Sequence, residues 1–349
     1  MSRPLSDPYL IAAFWTGVAA FLLTLTLVGV IVFLRVRLRL RERRWDRFVA
    51  VWRPALLAAI LDPGSAPPLP DLRPGESVLF LRLWAYLQES LRGDAARLLN
   101  ETALRLRIDE TARALLVRGS RTERLQAVLA AGYLRDAQAW EALVATARSS
   151  DSLLSVNAAR ALVRINPLRA ANGLLPLVVT RADWDIGRVA GFLAEARQAF
   201  WLLMAKTIPL LQLQELQRAL LLAEALRIQL PEATLARLLQ PEQPTGVLQA
   251  ALRLSDSPGL AEQVLRFLSH PEAAVREQAV LQMGRLSTPS DLPALTGMLD
   301  DPAWPVRMAA ARALASLPFL GSSALEALEQ DHPQAVDMLR QVRAERGLG

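Results

Sequence analysis

The side chains that could perform acid–base or metal chemistry are few in this sequence. The chain has 349 residues, two histidines and no cysteine, which excludes disulfides, thiolate nucleophiles and cysteine-bound metals. The histidines, His270 and His332, each precede a proline at a predicted helix start. A zinc site or a catalytic triad would need them close to each other or to several carboxylates. We interpret both as helix-capping or solvated residues, and we expect no metal and no cofactor.

Two pairs of aspartates are the other candidates for acid–base work. Asp183 and Asp185 flank Trp184. Asp300 and Asp301 precede a predicted helix. Paired carboxylates can act as acid and base where an apolar pocket separates their pKa values, but aspartates before helices usually cap them. The sequence also lacks a phosphate-binding loop, a dinucleotide-binding glycine pattern and a nucleophile elbow. We therefore predict no catalytic residue and a protein that is not an enzyme.

The elements that would position any site are predicted to be helices. Apolar residues make up 52% of the chain, whereas aromatic residues make up only 6% and glycine only 17 positions. Leucine, alanine and arginine dominate, and these residue types favour helix over sheet. The composition therefore predicts an all-α protein.

The apolar run over residues 9–34 contains no charged residue and is long enough to cross a membrane. About 20 helical residues span a hydrocarbon core of about 30 Å. A cleaved signal peptide fits less well, because the run is too long and arginines stand where a cleavage site would be. We predict a transmembrane helix over residues 9–34 behind a short extracytoplasmic N-terminus over residues 1–8.

The segment that follows the apolar run is strongly basic and is predicted to contact the membrane surface. Its arginines are Arg35, Arg37, Arg39, Arg41, Arg43, Arg44 and Arg47. With Glu42 and Asp46 they give residues 35–47 a net charge of +5, which leaves +1 of the total of +6 for the rest. The positive-inside rule then places the body in the cytoplasm. A nearly neutral body does not offer the broad cationic surface that nucleic acid requires, so we predict no nucleic-acid partner.

A stripe of small residues, Ala12, Thr16, Ala20 and Thr24, recurs every four positions within the apolar run. Small side chains on one face let membrane helices approach closely, which makes this stripe a candidate contact for a partner helix. Because alanine is common throughout the chain, a chance spacing is the alternative.

An internal repeat organises the remaining sequence. The segment HPEAAVREQAVLQMGRL, residues 270–286, aligns with DPAWPVRMAAARALASL, residues 301–317, at a shift of 31 residues. The shared apolar positions follow one face of a helix. Weaker copies begin at Ala127, Ala158, Ala219 and Val247. About seven helix pairs are therefore predicted over residues 121–340, stacked as an α-solenoid because one pair alone has too little interior.

Three segments lie between the apolar run and these repeats. Residues 35–60 are predicted to form a basic juxtamembrane helix. Residues 61–75 are rich in proline, cannot continue a helix, and are expected to form a stiff spacer that separates the anchor from the body. Residues 76–120 show apolar spacings of three and four and are predicted to form the N-terminal helices of the solenoid, with repeats over residues 121–349.

The pattern V-R-x-x-A-x-x-A-L-x-x-L, seen most fully in residues 301–317, resembles HEAT-like repeats of the short, phycobilisome-lyase-like kind. The resemblance implies an α-solenoid that binds proteins and a ladder of aspartate and arginine between neighbouring units. Asp301 and Arg307 fit this ladder, whereas His270 before Arg276 predicts an interruption. The same resemblance leaves open a lyase-like enzyme, or an enzyme subunit, that acts on a prosthetic group.

The whole layout also resembles bacterial single-span, membrane-anchored HEAT-repeat proteins, some of which are encoded beside polysaccharide-synthase-like glycosyltransferases. This resemblance implies a single-pass protein of the bacterial inner membrane with its N-terminus outside. It further implies a scaffold for a protein partner, such as an envelope exopolysaccharide synthase, and no small-molecule substrate. Trp184 and Trp304 lie in predicted turns and are the candidate partner contacts, since tryptophan is enriched among interface anchors.

Overall fold

In the computed structural model, which describes residues 8–62, 67–73 and 75–346 and side chains from residue 14 onward, every regular element is helical. The prediction of an all-α protein is confirmed. The chain divides into two compact units, residues 1–134 and residues 135–349. Helix α5, which the repeat frame included through Ala127, belongs to the first unit.

The described residues of the first unit form five helices. They are α1 (Pro8–Leu61), α2 (Ser77–Ser90), α3 (Gly93–Arg105), α4 (Ile108–Arg118) and α5 (Arg121–Leu134). Helix α1 is continuous over 54 residues, and large apolar side chains such as Phe21 and Phe33 are exposed along its first part. Among the described helices, α1 alone is long and apolar enough to cross a membrane.

The last part of α1 packs into the core of the first unit. Phe48, Trp52, Leu56 and Ile60 recur every four residues, which places them on one face of the helix, and each is at most 8% exposed. The ring of Trp52 lies 5.2 Å from that of Phe80 on α2, in an edge-to-face arrangement. This end of α1 is therefore a structural part of the first unit.

The expected separation of anchor and body by the proline-rich segment is wrong. After Leu61 this segment contains no helix in its described residues, as proline predicts, but its end lies beside α1, where Arg44 donates a hydrogen bond to the Gly75 carbonyl at 3.1 Å. The guanidinium of Arg82 on α2 also lies 4.3 Å from the ring centroid of Trp45 on α1. The physical reason is the apolar face of α1, whose burial against α2 and α3 outweighs extension of the linker.

The second unit contains the remaining helices. They are α6 (Trp140–Ala147), α7 (Ser152–Ile165), α8 (Pro167–Thr180), α9 (Ile186–Leu193), α10 (Arg197–Thr207), α11 (Leu213–Ala225), α12 (Glu232–Leu238), α13 (Thr245–Leu254), α14 (Ala261–Arg266), α15 (Ala273–Leu286), α16 (Leu292–Gly297), α17 (Trp304–Ser316), α18 (Ser322–Asp331) and α19 (Val336–Glu345). From α7 to α19, each odd-numbered helix packs against the next odd-numbered helix. The pairs α6/α7, α10/α11, α12/α13, α14/α15, α16/α17 and α18/α19 stack in the manner of an α-solenoid, whereas α8 packs mainly against α7, α10 and α11.

The repeated small residues lie where these helices approach one another. Ala279 and Ala310 are fully buried, as the repeat frame predicts. The closest approach lies one turn further along, because a Cβ atom added to Gly284 of α15 would lie 2.9 Å from the Cβ of Ala313 on α17. Ser316 Oγ donates to the Gly284 carbonyl at 3.2 Å across the same contact. Glycine therefore allows α15 and α17 to touch along their main chains.

The aspartate–arginine ladder differs from the expectation. Asp301 accepts two hydrogen bonds from Arg276 of the preceding unit, at 2.7 and 2.9 Å, whereas Arg307 donates to the main-chain carbonyl of Asp301 at 2.8 Å. Arg276 donates in the same way to the carbonyl of His270 at 2.8 Å. His270 thus supplies the same main-chain carbonyl as Asp301, but its side chain accepts from the Glu272 amide and forms no ion pair with an arginine among the described residues, so the carboxylate ladder has no rung at this position.

Candidate functional site: an arginine-lined groove

The two tryptophans predicted as partner contacts have opposite environments. Trp304 begins α17 and is 55% exposed, as a contact residue must be. Trp184 is only 1% exposed, so its predicted role as an exposed contact is wrong. Its Nε1 donates to Ser155 Oγ at 3.1 Å, and the guanidinium of Arg181 lies 5.4 Å from the ring centroid. Trp184 therefore packs as a core residue, with its polar edge satisfied by a buried hydroxyl.

The aspartates and histidines that suggested acid–base chemistry hold helix ends and ion pairs. Asp185 accepts a hydrogen bond from the Arg188 amide at 2.8 Å and caps α9. Hydrogen bonding from Arg181 lowers the pKa of Asp183 to about 2, so this carboxyl is charged at neutral pH. His332 Nδ1 lies 2.8 Å from an oxygen of Asp300.

His270 also has a local role, because its Nδ1 accepts a hydrogen bond from the Glu272 amide at 3.1 Å. No cluster of three or more histidine, aspartate or glutamate side chains suited to a metal occurs in the described part of the chain.

The predicted membrane-facing residues are exposed on α1. All seven arginines of residues 35–47 have exposed side chains, as do Thr16, Ala20 and Thr24 of the small-residue stripe. The side chain of Ala12 lies outside the described residues. Thr24 Oγ1 donates to the Ala20 carbonyl at 2.8 Å, so its hydroxyl is satisfied within the helix.

A long concave surface of the second unit lies across α10, α11, α13, α15 and α17. It consists of two clefts, of about 880 and about 560 Å³, that share Glu224, Arg253 and Arg285 and therefore form one groove. The charged lining residues are Arg197, Arg227, Arg253, Arg285, Arg312, Glu224 and Asp256. Five cations and two anions give the groove a net charge of +3. We name this surface the arginine groove.

One ion pair organises the centre of the arginine groove. Arg253 Nε on α13 lies 2.7 Å from a carboxylate oxygen of Glu224 on α11, and both side chains are about a third exposed. By contrast, Arg227, Arg285 and Arg312 are exposed, and none has a salt bridge among the described residues. The arginine groove therefore presents guanidinium groups that are free to bind an anion.

Apolar surface accompanies these charges. Trp201 on α10 is 44% exposed, and its Nε1 donates to the Gln229 carbonyl at 2.8 Å, which fixes the orientation of the ring. Leu281 on α15 lines the second cleft and is 39% exposed. A ligand of the arginine groove can therefore combine salt bridges with apolar contact.

Arginines at equivalent positions of the repeats indicate part of this groove in the sequence, whereas the net charge of the body does not. Arg253 and Arg285, which line the groove, each stand one position before the last apolar residue of their repeated helix, in the phrases LRL and GRL, whereas Arg164 has the same position in VRI but lies outside the groove and pairs with Glu195. Counting charge over the whole body gave only +1, because acidic residues elsewhere offset the groove. The charge of equivalent repeat positions was the informative quantity.

Comparison with known proteins identifies the repeats. Residues 231–315 match the family model of HEAT repeats, so this part of the chain consists of HEAT-like repeats. No curated protein shows significant similarity to it.

Two solved structures show weak similarity. An engineered protein has a TM-score of 0.36 and 18% identity, with 76% of this chain and 89% of that chain covered. The complex of CpcE and CpcF of phycocyanin lyase from Nostoc sp. PCC7120 has a TM-score of 0.27 and 19% identity, with 68% and 94% covered. At these values neither similarity says what this chain binds or does.

Proposed function

We propose that this chain is a non-enzymatic scaffold, anchored in a bacterial inner membrane by α1, whose HEAT-like repeats bind a protein partner from the cytoplasm. The observation that carries the proposal is the combination of an exposed apolar helix with an arginine groove on the repeats. An apolar helix exposed to water is energetically unfavourable, and a charged groove has no binding role without a ligand. A membrane and a protein partner supply those contacts.

The membrane part rests on the surface of α1. Large apolar side chains are exposed all along residues 14–40, and water-soluble proteins rarely leave so large a contiguous apolar surface uncovered. Seven exposed arginines then follow, which suits the phosphate layer on the cytoplasmic side. A lipid bilayer explains both the apolar surface and the sharp change to arginine.

The packing of α1 adds a constraint on position. Phe48, the first α1 residue buried in the core, lies 14 residues after Leu34, a rise of about 20 Å along a helix. If residues 9–34 cross the bilayer, the first unit is held at this short distance from the apolar core of the membrane. Confinement to one membrane raises the effective concentration of the chain for a partner in the same bilayer, so modest contacts are enough to hold that partner.

The non-enzymatic part rests on how the polar side chains are used. The aspartates and histidines that could suggest acid–base catalysis cap helices or form ion pairs, whereas the arginine groove offers charge and apolar surface, which serve binding. Stacked repeats commonly bind proteins through extended concave surfaces of this kind.

The partner we propose is a multispanning glycosyltransferase of an envelope polysaccharide synthase, for which this chain is an accessory subunit. Two observations support the choice. The layout resembles single-span HEAT-repeat proteins encoded beside such enzymes, and the exposed stripe of Thr16, Ala20 and Thr24 offers a close-packing face to a partner helix.

Affinity purification from gently solubilised membranes tests this proposal. The full chain is compared with a chain that lacks residues 1–47, a cut that keeps the buried face of α1 from Phe48 onward. We expect the full chain to enrich a multispanning glycosyltransferase and the shortened chain to lose it. Recovery of soluble proteins alone by both forms would contradict the proposal.

A further inference from the structure

We propose that the arginine groove binds an acidic, extended segment of the partner protein, in which glutamate or aspartate alternates with apolar residues. This inference deepens the proposed function, on which it rests, because it names the chemistry of the segment that the scaffold holds.

The cations select a carboxylate ligand. Arg227, Arg285 and Arg312 are exposed in the arginine groove and have no salt bridge among the described residues. A guanidinium presents two parallel N–H donors that match a carboxylate, and this pairing is stronger than a neutral hydrogen bond. Three such groups on α15, α17 and the turn after α11 therefore offer separate positions for acidic side chains.

The anions of the groove argue against a polyphosphate chain. Glu224 and Asp256 lie among the arginines and reduce the net charge to +3. A nucleic acid carries a phosphate at every nucleotide and needs a continuous cationic track, which these carboxylates interrupt. An acidic peptide can avoid this repulsion, because its sequence can place apolar side chains opposite Glu224 and Asp256 and carboxylates opposite the arginines.

The apolar surfaces of the groove favour a ligand that has apolar side chains as well as charged ones. The ring of Trp201 borders the first cleft and Leu281 lines the second, with Arg253 and Arg285 shared between the clefts. A ligand that spans the groove therefore meets both apolar and cationic surfaces. In an extended segment, successive side chains point to opposite sides, so alternating acidic and apolar residues direct carboxylates to one side of the groove and apolar groups to the other.

The dimensions suit a short segment. Helices α11, α13, α15 and α17 pack one against the next, and packed helices lie about 8–10 Å apart. Three such spacings give a groove of about 25–30 Å, which an extended segment of about eight residues spans at roughly 3.3 Å per residue.

The test measures peptide binding to the full chain in detergent micelles. The probe is a fluorescently labelled peptide of alternating glutamate and leucine that fills the groove, and its control is the same peptide with glutamine in place of glutamate. We expect the acidic peptide to bind with a dissociation constant below about 1 mM and the neutral peptide to bind at least tenfold more weakly. Added salt should weaken the acidic peptide's binding.

Variants locate the binding. The double variant Arg285→Glu and Arg312→Glu should weaken binding of the acidic peptide by tenfold or more, and a peptide of alternating lysine and leucine should then bind the variant better than the original chain. Arg237→Glu is the matched control, because Arg237 on α12 is exposed and lies outside the arginine groove. Its dissociation constant for the acidic peptide should stay within twofold of that of the original chain.

Several results would overturn the inference. One is that the acidic peptide does not bind. Another is that the groove and control variants weaken its binding equally. A third is that a single-stranded oligonucleotide of the same length binds more tightly than the peptide. If the peptide fails to bind while the full chain still enriches a membrane partner, only the acidic-segment inference is wrong. If the peptide binds at the groove but no membrane partner is enriched, the proposed function is wrong instead.

Discussion

The ion pair between Arg276 and Asp301 provides the sharpest test of how neighbouring repeats are joined. Asp301 is 4% exposed at its side chain and Arg276 13%, and two hydrogen bonds of 2.7 and 2.9 Å connect them. Asp301 also accepts a hydrogen bond from the Ala303 amide at 2.8 Å, which holds the start of α17. The substitution Asp301→Ala removes all of these contacts and leaves the guanidinium with main-chain carbonyls alone.

The expected loss of stability on Asp301→Ala follows from the burial of the ion pair that it breaks. Removing one partner of a buried ion pair destabilises a protein by about 3–5 kcal/mol. Because Arg276 keeps its hydrogen bonds to the carbonyls of His270 and Pro271, we expect the lower end, about 3 kcal/mol. In a unit of this size, each kcal/mol lowers the melting temperature by about 2–4 °C, so the predicted decrease is about 6–12 °C.

The contribution of Asp301 to stability depends on pH, and the direction follows from its pKa. Burial raises the pKa of Asp301, but hydrogen bonds from Arg276 and the Ala303 amide outweigh it and lower the pKa below the ordinary value of 3.8. A carboxyl with a lowered pKa contributes stability that is present above 3.8 and is lost as the pH falls through its folded-state pKa. The difference in stability between the original chain and Asp301→Ala should therefore be largest at neutral pH and decrease in strong acid.

The assay is thermal unfolding of the full chain in detergent, followed by far-ultraviolet circular dichroism. Asp300→Ala is the matched control, because Asp300 is the adjacent residue but its side chain is 51% exposed and, among the described residues, pairs with His332. An exposed pair of this kind contributes less than about 1 kcal/mol. Equal melting temperatures for Asp301→Ala and Asp300→Ala, or a difference that does not change in acid, would refute the ladder argument.

Three further predictions concern packing and topology. Ala310→Phe should overpack the α15–α17 contact and destabilise the chain by about 1–3 kcal/mol, and an unchanged melting temperature would show that the repeat frame is misplaced. Trp184→Ala should cost about 3–5 kcal/mol in the same assay, whereas Trp304→Ala should leave stability nearly unchanged; equal effects would contradict their assigned burial. A reporter active only in the cytoplasm should be active when fused after Gly349, and activity of an exclusively extracytoplasmic reporter would reverse the topology.

The sequence allowed the repeated helices to be predicted but not all of their partners. Positions such as Val275 and Val306 recur on one helix face, and both are fully buried, because helical periodicity and burial have the same cause. The face of α1 from Phe48 to Ile60 shows the same spacing, yet its contact with Phe80 depends on a chain reversal that local pattern does not encode. The stiff-spacer prediction failed for this reason.

The candidate site was harder to predict because its residues come from separate repeats. Arg253, Arg285 and Arg312 lie on three helices, and only stacking brings them into one groove. Trp184 was placed correctly near a turn, but position along the chain does not determine depth, and the hydroxyl of Ser155 that satisfies it lies 29 residues away. The charge at equivalent repeat positions would have been a better guide than total charge.

Photocrosslinking in intact cells tests most directly whether the repeats hold a membrane partner. A photoreactive residue replaces Leu281, which lines the arginine groove, or Glu262 on α14, which is exposed outside it. The account predicts that Leu281 crosslinks to a multispanning protein in the membrane fraction and that Glu262 does not. Crosslinks from Leu281 to soluble proteins alone, or the same products from both positions, would contradict a membrane-anchored scaffold that binds its partner through the groove.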